Sequence, residues 1–310
     1  MEGTSTRTRA MVLLAASLAI ASVTGCTSGT ESAAHGRTVQ AAPTAPPTGS
    51  PVGDAALPRK TTPAPQGTGE LVVTYEAGAT REDQQAQQFL QANEVLEGVA
   101  AHANSRIALP QDVPLTGRSC GEVNAFWDPE TQSITLCYEL ISQFAPVFSA
   151  QNTTGTEAQQ TRATEDDLIG FTNSSVLHEL GHGLIDVYGL AITGKEEDAA
   201  DQLATLLLVG DSLHREYAVS AIDAWGALAA ADEQGDITGK FSDEHSLSAQ
   251  RFYNEICWLY GSDPSSFQGV VQTAENPDGV LPEARAARCP AEFEQMNNAW
   301  STLLQSYLKS

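Results

Sequence analysis

The sequence has 310 residues, of which 39 are acidic and 16 are basic, so its formal net charge is −23 at pH 7. A charge of this sign and size repels phosphate backbones and anionic lipid surfaces, which argues against a nucleic-acid partner. With 41% hydrophobic residues, the chain can bury a sizeable core in one large domain or two small ones.

The first 25 residues have the pattern of an export signal. Arg7 and Arg9 precede an uncharged run over 11–23, which is too short to span a bilayer as a mature helix. The sequence VTGC at 23–26 resembles the lipobox of bacterial lipoproteins, which implies cleavage before Cys26 and acylation of its thiol. We therefore expect a protein that is exported and lipid-anchored, through Cys26, to the extracytoplasmic face of the bacterial cell membrane. An ordinary secretory signal with a chance cysteine is the alternative.

A second non-globular segment follows Cys26. Residues 27–68 contain seven of the fifteen prolines and no aromatic residue. Such a composition buries too little apolar surface to offset the entropy lost on ordering. We predict a disordered tether over 26–68, headed by the lipidated cysteine, and a folded domain over 69–310.

The other four cysteines predict disulfides, because an exported domain is oxidised. Three pairings are open to Cys120, Cys137, Cys257 and Cys289. Sequential pairing is favoured, since the first two flank adjacent predicted strands and the last two join C-terminal helices. A four-thiolate metal site requires closely spaced Cys-x-x-Cys pairs, and this sequence has none.

Taken in chain order, the hydrophobic patterns predict a small N-terminal sheet and then helix after helix. A strand is predicted over 71–75 and one long helix over about 82–103. A hairpin pairs 124–127 with 134–137, and a helix covers 138–148. A polar loop over 151–164 precedes helices at roughly 166–188, 194–209, 212–232, 246–260, 264–273 and 290–308. The predicted fold class is α+β and predominantly helical.

The motif HELGH at 178–182 is the clearest indication of a metal site in the sequence. Two histidines four residues apart on a helix project from one face, at a spacing that lets both imidazoles bind one Zn²⁺ ion. Leu180 and Leu184 lie on the opposite face, so the helix has separate core and chemistry faces. Together with His178 and His182, Glu179 completes the motif.

The acidic start of the next predicted helix, TGKEEDAAD at 193–201, supplies carboxylates that could bind the same ion. Thr193 and Glu196 fit a capping box, which assigns Glu196 a structural role. Glu197 and Asp201 share one stripe of an otherwise apolar helix, where a carboxylate is costly unless it meets a cation. We assign His178, His182 and Glu197 as zinc ligands, and we expect Asp201 to accept the remaining N–H of one ligand histidine. Asp198 or Asp201 as the third ligand, or a solvated acidic helix start beside surface histidines, are the alternatives.

The predicted catalytic groups are Glu179 and His245. Glu179 follows a ligand histidine and can accept a proton from water that attacks a carbonyl carbon. His245 has acidic neighbours that favour its protonated form, which suits it to stabilise an oxyanion. Tyr253, Arg251 and Tyr260 are the alternatives for that second role.

These residues resemble the gluzincin pattern of zinc peptidases, HExxH followed by ExxxD. From about Leu71 onward the chain also resembles a bacterial family of metallopeptidase-like proteins of unknown function. The stretches that carry the resemblance are CG at 120–121, NAFWDP at 124–129, CYEL at 137–140, HELGH at 178–182, EEDAADQ at 196–202, DEHSL at 243–247, RFYN at 251–254, CWLYG at 257–261 and RCP at 288–290.

The resemblance implies a zincin-like fold and a metal-dependent peptidase acting on a peptide or protein substrate. It also implies that an edge strand, here 124–127, pairs with extended substrate. The alternative is that Phe126 and Trp127 only pack the hairpin onto the helices. Two other functions remain open: a non-catalytic zinc-binding or protein-docking surface lipoprotein, and a hydrolase for a non-peptide amide. Glu179 favours catalysis, because a structural metal site has no need of a general base.

Overall fold

A computed structural model describes residues 67–210 and 212–309. The predicted signal peptide over 1–25, Cys26 and all of the predicted tether except residues 67 and 68 lie outside these ranges. Within the described ranges, no helix combines the length and the apolar character needed to cross a membrane.

A four-stranded sheet occupies the N-terminal part of the described chain. Its strands are β1 (Leu71–Tyr75), β2 (Val113–Arg118), β3 (Ala125–Asp128) and β4 (Ser133–Cys137), in the order β1-β2-β4-β3. The first three in this order are parallel, whereas β3 runs antiparallel to β4, with Trp127 opposite Ile134. The predicted strand over 71–75 and the predicted hairpin are confirmed, while β2 was not predicted. As the last strand in the order, β3 forms an edge of the sheet.

Helices make up most of the remainder, and the predominantly helical α+β class is confirmed. They are α1 (Arg81–Ala92), α2 (Val95–Asn104), α3 (Tyr138–Gln151), α4 (Glu157–Tyr188), α5 (Glu196–Leu208), α6 (Ser212–Asp232), α7 (Ser248–Ser262), α8 (Glu283–Ala286) and α9 (Cys289–Leu304). Two-residue strands β5 (Val271–Gln272) and β6 (Leu281–Pro282) form a second, parallel pair.

Two helix predictions in the N-terminal half were wrong in their extent. The predicted helix over 82–103 is two helices, because Glu94 has a left-handed backbone with φ of 50° that separates α1 from α2. Helix α4 begins inside the predicted polar loop, at Glu157. Thr156 and Gln159 form a reciprocal capping box there, which starts the helix earlier than its hydrophobic pattern does.

The helix predicted over 264–273 is absent from this described segment, which instead holds a 3-10 turn at 268–270 followed by β5. The carboxylate of Asp263 accepts hydrogen bonds from the hydroxyls of Ser265 and Ser266 and from the backbone N–H of Ser266. Local side-chain acceptors of this kind favour turns over helix.

Helix α4 lies at the centre of the fold, in contact with α2, α3, α5, α6, β3 and β4. Two glycines in its second half permit close packing. A Cβ atom at Gly181 would lie 3.0 Å from the Cα atom of Ala200 in α5, and one at Gly183 would lie 2.9 Å from the ring of Trp127 in β3. The HELGH motif is therefore held directly between α5 and the edge strand.

Both disulfides have the sequential pairing. Cys120 pairs with Cys137, which joins the loop after β2 to the end of β4. Cys257 pairs with Cys289, which joins α7 to the start of α9. The first bridge lies next to the segment that leads into β3, and the second secures the helix that follows the His245 loop.

Candidate metal centre

Three of the predicted site residues meet between α4 and α5. The Nε2 atoms of His178 and His182 lie 3.2 Å apart. Glu197, in the first turn of α5, places one carboxylate oxygen 3.1 Å from Nε2 of His178 and the other 3.4 Å from Nε2 of His182. Two imidazole nitrogens and a carboxylate therefore face one another across the helix pair.

This donor set fits a zinc ion. Tetrahedral ligands at about 2.0–2.1 Å from zinc lie roughly 3.3 Å from one another. This is close to the Nε2–Nε2 separation and to the distance from each ring nitrogen to its nearer Glu197 oxygen. The donors are two imidazoles and one carboxylate, all of types that zinc accepts. Glu197 carries its negative charge firmly, because hydrogen bonds from the histidine rings outweigh burial and hold its pKa well below the ordinary value.

His178 is fixed from behind by a buried carboxylate. Its Nδ1 atom lies 2.7 Å from Oδ1 of Asp201, one turn along α5 from Glu197, and both side chains are 7% exposed. Burial disfavours a charged ring, but the Asp201 and Glu197 carboxylates outweigh it and raise the pKa of His178 to about 10. The contact leaves Nε2 directed at Glu197, as a ligand histidine with an anchored second nitrogen requires.

His182 has a different partner, and here the predicted capping box is wrong. Helix α5 begins at Glu196 with Lys195 as its N-cap and without a side-chain capping bond. Glu196 instead places Oε1 2.9 Å from Nδ1 of His182. Burial opposes protonation of His182, yet Glu197 and Glu196 raise its pKa. Sequence pattern missed this role because a Thr-x-x-Glu spacing looks the same whether or not the cap forms.

Glu179 lies on the same helix face and contacts the edge strand. It is 9% exposed, and its Oε2 atom accepts the backbone N–H of Trp127 at 2.9 Å. Burial raises the pKa of Glu179, although the nearby histidines and the Trp127 N–H oppose this. A carboxyl group with a raised pKa beside a metal site can both take and return a proton near neutral pH.

His245 reaches the same cluster from the loop between α6 and α7. Its Nε2 lies 3.1 Å from Oε2 of Glu197 and its Nδ1 lies 3.0 Å from Oδ1 of Asp243, with 46% of the side chain exposed. The hydrogen bond with Glu197 raises the pKa of His245 most, against some burial. The loop is fastened to α5, since Lys195 Nζ donates to the backbone oxygen of His245 at 3.2 Å.

His178, Glu197 and His245 also offer one ligand atom each within 4.8 Å of one another, so His245 is a further potential donor. Asp198, the alternative third ligand, turns away to accept the hydroxyl of Ser246 at 2.7 Å.

The alternatives to His245 have other contacts. Arg251 forms two hydrogen bonds with Asp201, and the hydroxyl of Tyr260 accepts a bond from Gln268. Tyr253 is 43% exposed and lines a separate surface hollow next to Asp198. Of the four, His245 alone is in contact with a predicted metal ligand by its side chain.

A cleft of about 450 Å³ opens beside the cluster. His178, Glu179 and His245 line one end of it. The remaining wall is mixed and comes from the start of β3 and the segment before it and from α3, α4, α5, α6 and α7. Its apolar part includes Ala125, Leu140, Phe144, Phe171, Trp225 and Leu228, and its polar part includes Asn124, Gln143, Ser174, Ser175, Asp201 and Arg251. Sequence pattern did not identify this wall, because the aromatic and leucine residues of a cleft have the same periodicity as those of a core.

Comparison with protein families matches residues 75–304 to DUF4344, a family described as "Putative metallopeptidase". The chain belongs to this family. No curated protein and no solved structure shows significant similarity to the chain. DUF4344 membership implies a hydrolase of peptide bonds, a bound metal ion and a peptide or protein substrate, and the match covers every residue of the cluster described above.

Proposed function

We propose that the protein is a membrane-anchored, extracytoplasmic zinc metallopeptidase. The observation that carries this proposal is the meeting of His178, His182 and Glu197 at separations of 3.1–3.4 Å, beside a buried Glu179 and at the end of an open cleft. An open cleft lined by His178 and Glu179 suits catalysis, since a structural zinc site is closed by four protein ligands.

His178, His182 and Glu197 are the proposed ligands of Zn²⁺. When bound, the ion lowers the pKa of water to about 7 and polarises a carbonyl oxygen. His182 is preferred to His245 in this set because it stands on the rigid helix α4 and is 14% exposed, whereas His245 is 46% exposed on a loop. Metal binding requires neutral imidazoles, so uptake of the ion releases the protons that the carboxylates hold on these rings.

Glu179 is the proposed general base. The Trp127 N–H fixes one oxygen of its carboxylate at 2.9 Å, and the other is available to take a proton from the water that attacks the carbonyl carbon. The same group then returns that proton to the leaving amine. Because its pKa is raised, Glu179 can both accept and donate this proton more readily at neutral pH than an ordinary glutamate can.

His245 is the proposed donor to the developing oxyanion. Its raised pKa favours the protonated ring, which can donate a hydrogen bond, and a carbonyl bound in the cleft that His245 lines would lie within its reach. Replacing His245 with Gln should lower kcat about 10²- to 10³-fold while zinc stays bound. Loss of zinc in this variant would instead place His245 among the ligands.

The proposed substrate is an extended peptide segment. Edge strand β3 can add a substrate strand, and the start of this strand lines the cleft. The apolar wall formed by Leu140, Phe144 and Leu228 suits a large apolar side chain next to the cleaved bond. A lipid at Cys26 would restrict the enzyme to substrates near the membrane, and replacing Cys26 with Ser should release the protein from the membrane fraction.

The decisive experiment compares Glu179→Gln with Glu165→Gln, a matched change at an exposed position on the same helix. We expect Glu179→Gln to bind one zinc ion and to lose hydrolysis of a denatured protein substrate, measured by mass spectrometry of the products. Glu165→Gln should cleave as the wild type does. Unchanged cleavage by Glu179→Gln would reject the mechanism. A wild-type protein that binds zinc and cleaves nothing would support the non-catalytic zinc-binding alternative.

A further inference from the structure

Arg251, near the start of α7, grips the carboxylate that supports His178. Its Nε donates to Oδ2 of Asp201 at 2.9 Å, and its Nη2 donates to Oδ1 at 2.5 Å. Oδ1 is also the atom in contact with Nδ1 of His178, so one oxygen joins the guanidinium to the imidazole. Because a two-point contact fixes the plane of a carboxylate, Asp201 has one orientation towards His178.

An indole ring covers one face of the guanidinium, whose N–H groups bind Asp201. Arg251 Cζ lies 3.6 Å from the ring centroid of Trp225 in α6, within the range of a cation–π contact. Trp225 in turn packs edge-on against Phe171 of α4, with ring centroids 6.2 Å apart. The guanidinium is thus held between a carboxylate and an aromatic ring, and its side chain is 11% exposed.

The chain of contacts connects the metal centre to the cleft. It runs from His178 through Asp201 and Arg251 to Trp225, and all four residues line the same cleft. The four residues stand on α4, α5, α7 and α6 in that order. Balancing the charge of Asp201 would require only a buried cation nearby. A planar guanidinium that makes two hydrogen bonds and stacks on an aromatic ring also fixes the orientation of the carboxylate.

We infer that Arg251 is a positioning residue: packed against Trp225, it fixes the carboxylate of Asp201 and so sets the orientation of His178 towards the metal. The inference rests on the proposed function, because it takes His178 as a ligand. Residues that orient a ligand histidine typically change metal affinity about 10- to 100-fold when they are replaced. Lysine at position 251 retains the charge but provides neither the fork nor the flat face, so it separates positioning from charge balance.

The test compares Arg251→Lys with Arg215→Lys in the full chain. Arg215 is a matched control, since it also pairs with an aspartate, Asp263 at 3.1 Å, and lies over an aromatic ring, Phe267. Its partner follows the far end of α7, about 18 Å from Arg251 by helical rise. The measurements are the zinc dissociation constant, from competition with a chelator, and the visible spectrum of the Co²⁺-substituted protein.

We expect Arg251→Lys to weaken zinc binding at least about tenfold and to alter the Co²⁺ spectrum, while Arg215→Lys leaves both unchanged. Equal zinc affinity and equal spectra in Arg251→Lys and wild type would overturn the inference, as would an equal loss in the control.

A second variant decides the matter if Arg251→Lys fails to fold. Trp225→Leu keeps an apolar side chain but removes the ring behind the guanidinium, and it should weaken zinc binding about threefold. Unchanged affinity would overturn the inference. Failure of the proposed function has a different signature, because the wild type itself would then bind no zinc or cleave no peptide.

Discussion

The two histidines of the HELGH motif stand one turn apart on α4, yet their supports differ. The support of His178 is internal: Asp201 is 7% exposed and is held by Arg251, which is 11% exposed. The support of His182 is external, because Glu196 is 51% exposed and stands at the solvent-facing start of α5. We refer to Asp201 and Arg251 as the inner support and to Glu196 as the outer support.

This contrast indicates which contacts make the site rigid. Removing one partner of a buried ion pair leaves an uncompensated charge in a poorly solvated place, which costs about 3–5 kcal/mol. An exposed pair is screened by water and contributes at most about 1 kcal/mol. The inner support should therefore determine both stability and geometry, whereas the outer support should adjust the orientation of His182 only slightly.

The largest expected effect on zinc binding comes from removing either histidine, and it should be equally severe for His178 and His182. His178→Ala and His182→Ala should each abolish stoichiometric zinc binding, because each removes one of the three proposed ligands. Wild-type protein at a free zinc concentration of 100 times its dissociation constant should gain about 2.7 kcal/mol in unfolding free energy, and both variants should lose that gain. Retention of zinc by His182→Ala would replace His182 with His245 in the ligand set.

The largest effect on the stability of the metal-free protein separates the supports. Asp201→Ala should lower the unfolding free energy of the metal-free protein by about 3–5 kcal/mol, because it leaves the Arg251 guanidinium buried without its partner. Chemical denaturation in the presence of a chelator measures this directly. Glu196→Ala, treated identically, should change it by less than about 1 kcal/mol. Equal losses in the two variants would remove the distinction between inner and outer support.

Much of the fold could be predicted from the sequence where local pattern decides. Strand β1 and the hairpin of β3 and β4 alternate clearly, and helix α6 has the predicted bounds. The left-handed Glu94 that divides α1 from α2 could not be predicted, since glutamate has no preference for that backbone conformation. Strand β2 was missed because Pro114 and Gly117, residue types that are depleted in strands, interrupt its pattern.

The site residues also divide into those that local spacing predicts and those that depend on tertiary packing. His178, Glu179 and His182 were predicted from their spacing on a single helix, and spacing within α5 also selected Glu197 and Asp201. The contact of Arg251 with Asp201 joins residues 50 positions apart, so no local pattern carries it. Glu196 was assigned a capping role because its distance from His182 depends on how α5 packs on α4.

A third prediction concerns Glu255, a buried neighbour of the inner support one turn after Arg251. Burial, followed by the charge of Asp201, raises the pKa of Glu255 to about 8. Between the ordinary value of 4.5 and 8, the folded protein binds this proton more tightly than the unfolded chain does, so stability falls as pH rises through that window.

Glu255→Gln removes this proton and its pH dependence. The unfolding free energy of the variant minus that of the wild type should therefore grow from pH 5 to pH 8, by at most about 1.4 kcal/mol for each pH unit. Denaturation curves at four pH values measure the difference. A constant difference across the window would mean that Glu255 is already ionised beside Arg251, and that the inner support holds two carboxylates against one guanidinium.

The smallest effect belongs to the outer support. Glu196→Gln keeps the length of the side chain and a hydrogen-bond acceptor for Nδ1 of His182 but removes the charge. Because the carboxylate is half exposed, we expect zinc affinity to fall by less than about threefold, and the difference to shrink further at high salt as screening increases. Competition with a chelator at low and high ionic strength measures both. A loss of zinc affinity as large as that of Arg251→Lys would contradict this expectation. It would mean that His182 depends on Glu196 as much as His178 depends on Asp201.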